Sequence, residues 1–326
     1  MNTPAKLGAY ALGLAVVFAG TFGAGKLMGG VGTPPAPSGH AVHETTAPGE
    51  TGPAGATAIP GGLQVSQNGY TLTPLTTKIR PGRTMDFRFT VTGPDGRPVT
   101  AYQVEHDKKL HFIVVPRDLG SFQHLHPRST ADGTWTVPLT LPEAGTYRAF
   151  ADFAPEGADG MTLGVDLYAA GRYEPKPLPE PHRTATVDGY TVTLDGELTP
   201  GRASKLVLKV SKDGRPVTDL QPYLGAYGHL VALRGGDLAY LHVHPDGEPG
   251  DGKTPSGPEI TFYAEVPSRG DYRLFLDFKH GEAVRTADFA VQAGQAAPVI
   301  TDPEPTATPA EPAESAEHAE QGEHGH

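Results

Sequence analysis

The chain has 326 residues, a net charge of −11 and no cysteine. The acidic balance excludes a nucleic-acid partner, which needs a basic face. The missing cysteine excludes disulfides, thiolate metal sites, cysteine nucleophiles and a lipobox anchor. Its 42 Gly and 33 Pro crowd towards the two ends, the pattern of ordered modules flanked by linkers.

Residues 7–25 are uncharged and mostly apolar between Lys6 and Lys26, long enough to cross a bilayer core of roughly 30 Å. No small-residue cleavage site with a polar flank follows. Residues 1–31 are therefore expected to be an uncleaved transmembrane signal-anchor with the body on the extracytoplasmic side. Secretion after signal cleavage is the alternative. Residues 32–61, rich in Pro, Gly and Ala and containing His40 and His43, read as a disordered stalk.

After the stalk one module occurs twice, which must be settled before any fold is assigned. Asn68-Gly69-Tyr70-Thr71 is echoed by Asp188-Gly189-Tyr190-Thr191, and Asp95-Gly96-Arg97-Pro98-Val99-Thr100 returns letter for letter from Asp213 to Thr218. His124-Leu125-His126-Pro127 returns as His242-Val243-His244-Pro245. Gly145-x-Tyr147-Arg148 with Asp152-Phe153 returns as Gly270-x-Tyr272-Arg273 with Asp277-Phe278. The spacing between copies widens after the second His motif, so an insertion is expected around residues 246–256.

Within each copy short segments rich in Val, Thr, Phe and Tyr alternate with Pro-Gly and Asp-Gly turns. Strands are predicted at 85–92, 110–115, 134–141 and 146–153, with counterparts at 205–210, 261–266 and 272–278. No window shows a helical apolar period. The predicted fold class is all-β: two tandem immunoglobulin-like β-sandwiches, at 62–172 and 183–293, preceded by one N-terminal transmembrane helix. A Pro-rich linker at 173–182 joins them, and 294–326 reads as a disordered, acidic, His-containing tail.

The histidines suggest chemistry. If the turn after the strand at 110–115 centres between Asp118 and Leu119, antiparallel pairing sets His111 opposite His126 and Ile113 opposite His124. The second copy sets His229 opposite His244 and Val231 opposite His242. Residues i and i+2 share a face, as do opposed residues. Three imidazoles are thus expected on each hairpin: His111, His124 and His126, then His229, His242 and His244. Neutral imidazoles suit Cu(II), Zn(II) or Ni(II). The first copy adds His106, where the second has Leu224, and the second adds His280. Asp152 and Asp277 are candidate ligands or orienting groups, or else partners of Arg148 and Arg273. Alternatively these histidines only pack, since residues 110–115 are apolar on both faces. Tyr147 and Tyr272 read as core or corner tyrosines.

His106-x4-His111, Phe122-x-His124-Leu125-His126-Pro127 and Gly145-x-Tyr147-Arg148-x-Phe150-x-Asp152-Phe153 resemble the exported bacterial YtkA-like and CopC-like immunoglobulin-fold domains. That resemblance implies copper or heavy-metal handling, with ligands at His106, His111, His124 and His126 and at His229, His242 and His244. The expected function is a membrane-anchored extracytoplasmic protein that binds metal, copper first and zinc second, for resistance, buffering or delivery. Its expected partners are the ion and a metal transporter or other envelope protein. The alternative is a tandem immunoglobulin-like interaction module with non-ligand histidines. No triad, phosphate loop or carboxylate pair suggests an enzyme.

Overall fold

The structure, a computed structural model, describes residues 59–294 apart from His242. The signal-anchor, nearly all of the stalk and nearly all of the tail lie outside the described residues. Among the described residues every regular element is a strand, and no helix is long and apolar enough to cross a membrane.

The first repeat contains β1 (Ser66–Gln67), β2 (Tyr70–Pro74), β3 (Met85–Thr92), β4 (His111–Pro116), β5 (Gln123–Leu125), β6 (Arg128–Ser129), β7 (Thr134–Leu139), β8 (Gly145–Phe153) and β9 (Met161–Ala169). They form two sheets, β1-β2-β3-β7-β6 and β5-β4-β8-β9. The second repeat contains β10 (Thr184–Val187), β11 (Tyr190–Asp195), β12 (Ala203–Lys212), β13 (Arg215–Pro216), β14 (Gly228–Arg234), β15 (Tyr240–Leu241), β16 (Val243–Pro245), β17 (Glu259–Glu265), β18 (Gly270–His280) and β19 (Ala283–Ala293). Its sheets are β10-β11-β12-β17-β16, with β13 on β12, and β15-β14-β18-β19.

Each repeat is a sandwich for the reason its alternation implies. In β3, Phe87, Phe89 and Val91 point inward while Asp86 and Arg88 face water. Phe89 stacks on Phe112 of the facing sheet, with ring centres 4.7 Å apart. The second core is built the same way, from Leu206, Leu208 and Val210 against Leu274, Leu276 and Phe278. Tyr147 donates its hydroxyl to the carbonyl of Glu143 at 2.9 Å, and Tyr272 to that of Ser268 at 2.8 Å. These are tyrosine corners, a hallmark of immunoglobulin-like sandwiches.

Strand β4 breaks the alternation, with five consecutive buried residues. Leu110, Phe112 and Val114 fill the first repeat's own core, whereas Ile113 and Val115 join a third apolar cluster. That cluster also contains Leu119, Phe150, Val231, Leu233, Leu238 and Phe275, so it lies between the repeats. Phe122 stacks on Phe275 at 4.3 Å, and Tyr240 packs on Phe150 at 5.6 Å. Phe122 corresponds to Tyr240 in the duplication, and Phe150 to Phe275. The contacts are therefore reciprocal, as at an isologous dimer interface. At about 1.5–3 kcal/mol per fully buried apolar side chain, this cluster is a substantial apolar contact between the repeats.

The end of the stalk is part of this body. Tyr240 donates its backbone N–H to Gly61 at 2.9 Å, and Gly62 donates to Thr162 at 2.8 Å, so one segment bridges both repeats. Gly62 has φ +75°, and a Cβ there would lie 2.5 Å from the Phe150 ring. Only glycine passes that point without strain.

Candidate metal site between the repeats

The hairpin register follows from the two-residue period. Ile113 pairs with His124 and Phe112 with Leu125 in the first copy; Ala232 pairs with Leu241 and Leu233 with Tyr240 in the second. The next strands settle the carboxylates: His111 lies opposite Asp152 on β8, and His229 opposite Asp277 on β18. The two arginines that the sequence offers as their partners pair with other carboxylates. Arg148 pairs with Asp166 at 3.0 Å, and Arg273 pairs with Asp288. Instead Thr162 donates to Asp152, and Thr286 to Asp277.

Because odd-numbered residues of β4 and β14 face the other repeat, His111 and His229 meet. Their rings stack at 5.2 Å and 11°, equivalent residues face to face. His124 lies 4.7 Å from His229, and His126 lies 5.3 Å from His111, ring centre to ring centre. One nitrogen from each of His111, His124 and His229 falls within 4.8 Å of the others. The two sites expected of two hairpins are, in the described residues, one cluster shared by both repeats.

Three members expected of the second site lie elsewhere or are not described. His244 belongs to β16, which crosses to the opposite sheet and pairs with β17; it is exposed, opposite Tyr263. His280 is held by the Tyr190 hydroxyl at 2.7 Å and the Asp219 carboxylate at 3.0 Å, and does not join the cluster. His242 lies outside the described residues. His106 is exposed on a four-residue turn, its ring 6.2 Å from His111 and 5.7 Å from His229.

Hydrogen bonding fixes the tautomers. His124 Nδ1 lies 2.8 Å from the Asp277 carboxylate, an acceptor, so Nδ1 carries the proton. His111 Nε2 lies 3.2 Å from the Glu105 carbonyl, also an acceptor, so that nitrogen carries its ring's proton. The remaining nitrogens, His111 Nδ1 and His124 Nε2, then face each other with lone pairs at 3.1 Å. A further proton could bridge them only by charging a buried ring. Burial, with repulsion from His124 second, pushes the His111 pKa down to about 3. Burial holds His126 at about 4, again with repulsion from His124 second, and drives His229 well below its ordinary value. His229 Nδ1 and His126 Nε2 are buried without a hydrogen-bond partner among the described residues. The cluster thus presents neutral imidazole lone pairs with their outer nitrogens oriented by a carboxylate and a carbonyl, the arrangement of metal-ligating histidines. Two nitrogens about 2.05 Å from one tetrahedral ion lie roughly 3.3 Å apart. The 3.1 Å pair is close to this, and His229, whose ligand atom lies within 4.8 Å, would have to move closer.

Residues 64–164 and 185–295 both match the model of one family, described as a domain of unknown function, DUF8832. These matches cover more than half of the chain. It belongs to that family. The paired DUF8832 matches coincide with the two copies read from the sequence. No curated protein matches the chain. Among solved structures it is similar to the Escherichia coli adhesin FdeC, at 13% identity over 71% of this chain and 65% of that one, TM-score 0.23. It is also similar to Yersinia pseudotuberculosis InvD, at 14% identity over 72% and 62%, TM-score 0.24. It is similar too to invasin, a bacterial integrin-binding protein, at 13% identity over 71% and 41%, TM-score 0.23. The chain spans less than two thirds of each of these structures.

Proposed function

We propose that this protein binds one divalent d-block cation between its repeats, through His111 and His124 of the first and His229 of the second, as an exported metal-handling protein. The observation that supports it is the pair of facing lone pairs on His111 Nδ1 and His124 Nε2, 3.1 Å apart. An all-imidazole donor set suits Cu(II) and Zn(II) better than hard cations. Copper is the first candidate, because the histidine motifs resemble those of YtkA-like and CopC-like domains. Asp277 would orient His124 and hold its Nδ1 proton, while Glu105 would do so for His111 through its carbonyl. The apolar cluster would keep water from the side of the site that it covers. Capture and release, with no turnover, is the whole of the chemistry. The signal-anchor reading of residues 7–25 would place the body outside the membrane.

A second reading has its own support. His124 is already tied to Asp277, and the repeats are already joined by stacked Phe122 and Phe275. Those contacts suit a tandem interaction module of the envelope whose histidines only pack.

Competition of the full-length protein against a chromophoric chelator for Cu(II) and Zn(II) separates the two. The metal reading expects tight binding that His124→Ala removes. Binding that is absent, or unchanged in that variant, leaves the interaction module.

A further inference from the structure

The cluster is not sealed. A cleft of about 470 Å³ opens onto it, and its lining includes Glu105, His106, His111, Asp152 and His229, with exposed His244 at the edge. His124 and His126 do not line it. An ion arriving through this cleft therefore meets His106 and the cleft faces of His111 and His229 before it reaches His124.

His106 is held where such an encounter would occur. Its turn is closed by Glu105 N–H to the Lys108 carbonyl at 2.8 Å and by the reverse bond at 3.0 Å. His106 itself sits at φ +48°, in the left-handed region. Histidine tolerates that conformation better than most residues, and the equivalent turn of the second repeat has buried Leu224 at φ +56°. The same turn supplies the Glu105 carbonyl that fixes the His111 proton. One rigid element thus displays an exposed imidazole at the cleft and orients the first buried ligand behind it.

Resting on the metal reading above, we propose that His106 is the capture ligand of a stepwise loading route. It binds the hydrated cation in the cleft and passes it, by exchange of water for imidazole, to His111 and His229 and last to His124. Such a residue speeds entry and exit together, because every ion crosses the same way station. An ordinary ligand acts differently: its loss shows mainly as faster release.

The test is stopped-flow transfer of Zn(II) from a chromophoric chelator to the full-length protein, and back to excess chelator. Variants are His106→Asn, since asparagine accepts a left-handed φ, and Gly160→Leu. Gly160 is exposed on the cleft rim, where the atoms nearest to an added Cβ would be those of Glu105 and Ala154, at 3.8–3.9 Å. Loading and release are both expected to slow, by about tenfold for His106→Asn, and to slow together for Gly160→Leu. Unchanged rates in both variants, or faster release from His106→Asn, would overturn the capture role. A wild-type protein that takes up no Zn(II) would instead sink the metal reading itself, so the two failures are distinguishable.

Discussion

The two repeats share one motif letter for letter and several more closely, and use them differently. Their apolar residues behave as equals: Ile113 and Val231, Leu119 and Leu238, Phe150 and Phe275 occupy matching places in one shared cluster. Their histidines do not. The first repeat sends His111, His124 and His126 to the interface, whereas among the described residues of the second His229 reaches it, His244 is exposed on the other sheet and Leu224 replaces His106. Packing constrains both copies to one surface, because each must bury the same face against the other. Coordination has no such need, since a single ion is satisfied by a few ligands from either side.

That contrast can be broken most sharply at the ligands. His111→Ala is expected to weaken Cu(II) and Zn(II) binding by at least about a hundredfold, beyond the 10–100-fold typical of an orienting partner, while His280→Ala leaves it unchanged. Titration of both variants against a competing chelator checks this. Truncating the shared apolar face acts on stability instead: Phe275→Ala should cost about 3–5 kcal/mol, read as a lower denaturant midpoint. Asp277→Asn keeps the shape but loses the charge that holds the His124 proton, and should lower metal affinity about 10–100-fold.

The smallest expected effect is on acid stability without metal. The folded pKa values of His111, about 3, and His126, about 4, lie below the ordinary 6.5. Between about pH 6.5 and those values the unfolded chain binds protons that the folded protein refuses. Stability is thus fully present above pH 6.5 and is lost as pH falls below it. Thermal unfolding of metal-free protein should show Tm declining from pH 7 to pH 5, and the decline should be shallower in His111→Gln.

The duplication, the all-β character and the hairpin register were legible because strands have a period of two and turns announce themselves through Gly and Asp. Ile113 therefore faces His124 as its spacing requires. What could not be read was how the copies meet, since that depends on which outer faces stick together. One signal was present: residues 110–115 lack a polar face, which a strand with one side in water would have. Such a strand must be covered twice, and the second cover is the other repeat. The crossing of β16 to the opposite sheet, which removes His244 from the hairpin, left no mark in the local pattern. Nor did the Tyr190 and Asp219 contacts that hold His280, since both partners are distant in sequence.

The central claim is that one ion is shared by two repeats. Counting the Zn(II) retained by the full-length protein, by His124→Ala, by His229→Ala and by the combination tests it directly. A shared site predicts that each single variant loses the same one ion and that the double variant loses no more. Two independent hairpin sites would instead lose one ion each and two together, and that result would contradict the account.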